Sequence, residues 1–259
     1  MLLKVAELSP QDPSLCYHLS ETLAITGRYE EAVAWAQKGV LLGPDQPIIH
    51  AVGSWVAIQA GWSDQAREFA NIIPPTFDPE VNNYKARIYL ELRDYTAALK
   101  ASSQLPRVNE AQYEAISQDL ALGKIHLAMG QTDLAKEDFT RAEFAIGEKL
   151  KEKPGAGSLV AGHAVALAGM GRGDEALIEI DRSMKLFPAS KDPWILTWRL
   201  YDKAYIQMLA GKPAAAVQTL SELMQRQTDV ISPAILASSP IFDPLRGRDD
   251  FKALLAEVS

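Results

Sequence analysis

Small and apolar side chains recur every three or four residues along this chain, and the stripes they make break at regular intervals around glycine. Cys16, Leu19, Ser20 and Leu23 form one stripe; Ala32, Ala36 and Gly39 form the next, with Gly27-Arg28 between them. Such spacing predicts amphipathic helices paired across short turns, and side chains this small let the helices approach closely. Gly27-Arg28-Tyr29-Glu30-Glu31-Ala32 returns 34 residues later as Gly61-Trp62-Ser63-Asp64-Gln65-Ala66, and Pro10 returns as Pro44. The alanine in phase with Ala32 then falls at Ala66, Ala98, Ala135, Ala176 and Ala216, in steps of 34, 32, 37, 41 and 40 residues. Helix–turn–helix units of this size cannot bury their apolar faces alone and must stack on one another.

Local signals refine the units. Pro74 and Pro75 end the second helix of the second unit, and Arg93-Asp94-Tyr95 makes the turn of the third. The fourth unit uses Gly123, Gly130, Ala135, Phe139 and Ala142, and its helices are expected to extend to about Asn109 at one end and Lys151 at the other. The fifth turns at Gly171 and the sixth at Gly211. The expected organisation is the second half of a preceding repeat over 1–12, three repeats over 13–106, three with lengthened helices over 107–227, and a Pro-rich tail with a capping helix over 228–259. On that last helix Asp249 is the expected N-cap, and Phe251, Leu254 and Leu255 form the apolar stripe. A chain that opens halfway through a unit reads as part of a longer one.

The period of 34, with Gly at the turn and Ala five residues on, resembles the tetratricopeptide repeat family over about residues 1–227. The resemblance implies an all-α, right-handed superhelical solenoid of about six helix-turn-helix repeats with a C-terminal capping helix. The match is imperfect: Cys16, His50, Asn82 and Asp119 stand where a large aromatic is expected early in the first helix of a repeat. The tail segments Ile231-Ser232-Pro233-Ala234-Ile235-Leu236 and Ser239-Pro240-Ile241-Phe242-Asp243-Pro244-Leu245-Arg246 are similar to endings of bacterial signalling proteins. In those, tetratricopeptide arrays accompany adenylate cyclase, Ser/Thr kinase or winged-helix domains. The likeness implies a regulatory or partner-binding module.

Composition narrows the partners. Lys and Arg number 26 against 33 Asp and Glu, a net charge of -7, which argues against a nucleic-acid partner. The single cysteine cannot form an internal disulfide. The most apolar stretch, 159–171, contains His163 and is shorter than the roughly 20 residues needed to span a bilayer. No membrane partner is expected, and the chain reads as cytoplasmic.

Catalytic chemistry is not suggested. The four histidines, at positions 18, 50, 126 and 163, lie in different units with no pair at helical spacing, so neither a metal site nor a catalytic cluster is expected. Gly169-Met170-Gly171-Arg172-Gly173 sits where a repeat turn belongs and lacks the preceding strand that a phosphate loop requires. No cofactor is expected.

The remaining candidate surface is the concave groove lined by the first helix of each unit. Those positions give Tyr17 and Glu21, Trp55 and Gln59, then Asn83, Arg87 and Glu91, then Lys124, and finally Trp198, Tyr201 and Tyr205. Aromatics beside Arg and Asn are residue types that anchor peptides. The chain is therefore read as a non-catalytic interaction module for a protein or peptide, or for an upstream domain of its own chain. An alternative is an effector-binding sensor for a small molecule or short peptide that controls a fused output domain; a compact aromatic-lined pocket would favour it over an open groove. Self-association through residues 1–10 is a further expectation.

Overall fold

The computed structural model describes residues 11–188 and 192–258. Each unit turns on one residue held in left-handed backbone. Gly27, Gly61, Gly130, Gly171 and Gly211 have φ of 75°, 80°, 75°, 84° and 70°, and Arg93 takes the same role in the third unit with φ 57°. Glycine adopts this conformation without penalty, so five of the six turns use it.

Six helix pairs follow in order: α1 (Pro13–Ile25) with α2 (Tyr29–Leu42), α3 (Pro47–Gln59) with α4 (Ser63–Asn71), α5 (Pro79–Glu91) with α6 (Tyr95–Ser102), α7 (Gln118–Ala128) with α8 (Thr132–Glu152), α9 (Gly157–Gly169) with α10 (Gly173–Leu186), and α11 (Pro193–Leu209) with α12 (Pro213–Met224). The six alanines that set the phase, from Ala32 to Ala216, are all 0% exposed. They face neighbouring helices, where only a methyl group fits. Packing is tightest around Phe139 of α8, which is fully buried between Gly123 of α7 and Gly169 of α9. A Cβ on Gly123 would lie 2.8 Å from its ring.

One element differs from expectation. Residues near Asn109 do not extend the fourth repeat's first helix. They form a short antiparallel hairpin, β1 (Asn109–Glu110) and β2 (Ala115–Ile116), with Asn109 opposite Ile116. The helix starts only at α7, where the Ser117 side chain caps it by accepting from Leu120 N. At the other end of this unit α8 does run to Glu152.

The tail closes the array on itself. Helix α13 (Pro233–Ser238), a 3₁₀ turn (Pro240–Leu245) and α14 (Asp249–Val258) follow the sixth pair, and α13 packs against α3 of the second repeat. Trp55 on α3 donates its indole N–H to the Asp229 carbonyl at 2.9 Å. The Arg93 guanidinium makes two hydrogen bonds to the Asp243 carboxylate, at 2.7 and 2.8 Å. Phe251 and Leu254 of α14 are buried as the stripe required, while Asp249 is the first residue of the helix itself. The half-repeat expected over 1–12, and the self-association assigned to residues 1–10, fall mainly outside the described residues. No helix among the described residues is long and apolar enough to cross a membrane.

Candidate functional site

The first helices of the repeats carry their groove-facing residues toward one interior, and the tail crosses it. A partly open cavity of about 540 Å³ lies there. Helix α1 contributes His18, Glu21 and Ile25; α5 contributes Glu80, Asn83 and Tyr84; the hairpin contributes Tyr113 and Glu114; α11 contributes Trp194 and Trp198; and Asp229 comes from the segment after α12. First, third and sixth repeats thus meet at one place.

Local chemistry sets these side chains. Asp192 caps α11 by accepting from Trp194 N at 2.9 Å, which fixes the first turn and the indole on it. Trp198 follows one helical turn later, with its ring nearly parallel to that of Tyr113 (11°) at a centroid separation of 6.1 Å. Trp55 meets Tyr84 edge-on at 6.3 Å. Arg87 lies between two indoles, its guanidinium carbon 4.5 Å from the Trp55 ring and 5.1 Å from that of Trp198. Glu114 completes this arrangement, 3.7 Å from Arg87 Nη1 and accepting from Asn83 Nδ2 at 2.9 Å. A guanidinium between aromatic faces with a carboxylate beside it is a favourable cation site.

Two other carboxylates lack such a partner. Glu21 has only His18 as an ion-pair neighbour, at 3.6 Å, and no Lys or Arg among the described residues pairs with Glu21 or Asp229. Burial, with the Asp229 charge adding to it, pushes the Glu21 carboxyl up to about 7. Burial likewise pushes Asp229 up to about 6, against the opposing pull of Arg87. Two buried polar atoms at the cavity have no hydrogen-bond partner: Asp229 Oδ1 and the donor Trp198 Nε1.

The remaining sequence-selected residues are distributed more widely. Tyr17 is half-buried with its ring tilted against His18, 4.0 Å between centroids. Gln59 is buried with its Oε1 unpartnered. Lys124 has its ammonium 5.7 Å from the Tyr205 ring centroid, and Tyr205 is itself buried. Tyr201 packs edge-on against Phe242 of the tail at 6.2 Å, so the tail covers it. Glu91 reaches Ser239, also in the tail, and burial raises its carboxyl to about 7. Of the eleven, then, Glu21, Asn83 and Trp198 line the cavity, with Trp55 and Arg87 directly beside it. Sequence reasoning passed over Trp194, Tyr113, Glu114 and Asp229. The lengthened step of 37 residues before Ala135 was the available sign that extra chain enters near residue 113.

Among the described residues no group of three or more His, Cys, Asp or Glu could hold a metal ion. His126 instead pairs with Asp138 at 2.5 Å, and His163 lies between Glu143 and Glu179 at 3.6 and 3.5 Å. Cys16 is buried, and its thiol is pushed up mainly by that burial, the opposite of an activated nucleophile.

Comparison with known proteins agrees with this architecture. Residues 13–46 and 120–143 match the family model of the tetratricopeptide repeat. The fold is similar to that of a tetratricopeptide repeat protein from Parabacteroides merdae ATCC 43184, with a TM-score of 0.53 at 15% identity, covering 98% of this chain and 88% of that one. A likeness to pilF of Pseudomonas aeruginosa covers 95% of this chain and 97% of that one, at 16% identity and a TM-score of 0.46. No curated protein matches the chain. The chain carries the tetratricopeptide repeat at the two matched segments and folds as a helical solenoid of such units.

Proposed function

We propose that this protein is a non-catalytic interaction module that takes a short segment of a partner into the interior cavity, not an extended peptide along an open groove. The observation carrying this is the cavity itself. At about 540 Å³, with Tyr84, Tyr113, Trp194 and Trp198 in its lining, it has the size and chemistry of a ligand site. Tetratricopeptide solenoids in general act as protein-interaction scaffolds, which supports a protein partner. Selection of a random hexapeptide phage library on the immobilised chain tests the idea. Enriched sequences should bind wild type and lose binding to Trp194→Ala, a half-buried residue at the mouth of α11. No enrichment, or equal binding to Trp194→Ala, would sink it.

The cavity also favours a second reading, an effector sensor for a small molecule, because it is compact and aromatic-lined, with Asp229 of the tail in its wall. A thermal-shift screen against a metabolite panel examines this, and the sensor reading fails if no compound raises Tm. The tail's likeness to bacterial signalling proteins supports a regulatory role within such a protein. The open reading frame around residue 1 decides that point: an adjoining cyclase, kinase or winged-helix domain supports it, and a frame with no output domain removes it.

A further inference from the structure

The cavity is acidic as well as aromatic, and its charges are not balanced from within. Arg87 is engaged by Glu114 and two indoles, so it serves Glu114 first. Glu21 and Asp229 line the remaining space with no Lys or Arg among the described residues paired to them, and Asp229 Oδ1 is buried without a hydrogen bond. Burying carboxylates unpaired is costly, and an incoming cation with N–H donors would remove that cost. Aromatic rings at the same place add attraction for a positive charge. Trp194 is half-buried and lines the cavity. Trp198 is 8% exposed and lines the cavity with its indole N–H unpartnered.

We propose that the cavity between α1, α5, α11 and the hairpin is a subsite for an organic cation, an ammonium or guanidinium held by Glu21 and Asp229 beside Trp194, with Trp198 in the cavity wall. A peptide's Lys, Arg or amino terminus supplies that chemistry, and so does a small free amine. The inference rests on the interior cavity being the ligand site, and it names the ligand's charge. The raised carboxyls support it, since groups that ionise reluctantly while empty ionise readily beside a cation. The titratable groups sharing the cavity with Glu21 are His18 on its own helix, Glu80 and Tyr84 on α5, Tyr113 and Glu114 on the hairpin, and Asp229. None of these is a permanent cation; Arg87, which acts on Asp229 from beside the cavity, is already engaged by Glu114.

Tryptophan fluorescence titrations of the full chain provide the test. The probes are two blocked, histidine-free pentapeptides with lysine or norleucine at the centre, and cadaverine as a free diamine. Lysine peptide or cadaverine should bind, with the norleucine peptide at least about tenfold weaker. Glu21→Gln and Asp229→Asn should each weaken the cationic probes about tenfold, and affinity should rise from pH 5.5 to 8 and fall with salt. The stronger of the two cationic probes identifies the source, peptide or small amine. Equal binding of lysine and norleucine peptides overturns the cation subsite while leaving peptide binding intact. Failure of every cationic probe to bind overturns it too, and the library selection then judges the interaction reading separately. Circular dichroism of both variants confirms that they fold.

Discussion

Replacing Glu21 by Gln should stabilise the protein above neutral pH and do little in acid. The Glu21 carboxyl moves from an ordinary 4.5 to about 7 on folding, chiefly through burial and then through the Asp229 charge. A folded-state value raised above the unfolded one means that stability is fully present below 4.5 and is lost as pH rises through about 7. At about 1.4 kcal/mol per unit, a rise from 4.5 to about 7 sets a ceiling of about 3.5 kcal/mol on that loss. The side chain is 30% exposed, so solvent screening brings the expected figure down to about 1–2 kcal/mol. Gln has nearly the same shape and no charge to desolvate. Thermal melts of wild type and Glu21→Gln from pH 4.5 to 8.5 should therefore diverge, with the variant about 3–6 °C more stable at pH 8. The difference should vanish near pH 4.5. A variant no more stable than wild type at pH 8 would show that Glu21 is adequately solvated or already paired, and the unbalanced cavity would lose its main support. The expected gain at pH 8 would instead mark Glu21 as a stability cost of the kind retained at functional sites.

Other expectations concern the frame that holds the cavity. Gly169→Ala places a methyl group against the fully buried ring of Phe139 and should cost about 1–3 kcal/mol in a denaturant melt. Adding Phe139→Leu to that variant should recover part of the loss, and failure to recover any would point to a cause other than the ring. At the third turn, Arg93→Gly relieves left-handed backbone strain of about 1 kcal/mol but gives up the Asp243 pair, leaving Tm nearly unchanged. Arg93→Ala keeps the strain, loses the pair and should be the less stable of the two; the reverse order would refute the assignment. Asp229→Asn should follow Glu21→Gln in sign, gaining stability as pH rises through about 6.

The fold was readable because its signals are local and repeated. Gly27, Gly61, Gly130, Gly171 and Gly211 mark turns that need left-handed backbone, and the alanines in phase with them need contact with a neighbouring helix. Both requirements sit within one repeat. The hairpin near Asn109 was missed because period counting gives surplus residues to the nearest helix. Ser117, three residues before Leu120, carried the capping signal that would have placed the start of α7 correctly. The cavity was hidden for a different reason. Trp55 and Asp229, which share a hydrogen bond, are 174 residues apart, and nothing in a 34-residue period says that the sixth repeat and tail return to the first three. Phasing selected Glu21, Asn83 and Trp198 one repeat at a time. Their meeting, and the arrival of Trp194, Tyr113 and Asp229 beside them, depends on superhelical curvature and on tail contacts such as the Arg93–Asp243 pair.

The five tryptophans give the most direct test of where a ligand sits. Their indole N–H groups can be followed individually by ¹⁵N-edited NMR while the lysine-centred pentapeptide is added to the full chain. Trp194 and Trp198, which line the cavity, should shift most, and Trp55 at its edge should respond less. Trp35 and Trp62, outside the cavity lining, should stay in place. Shifts confined to Trp35 or Trp62, or saturable binding that leaves Trp194 and Trp198 unmoved, would place the ligand elsewhere on the solenoid and contradict the assignment of the cavity.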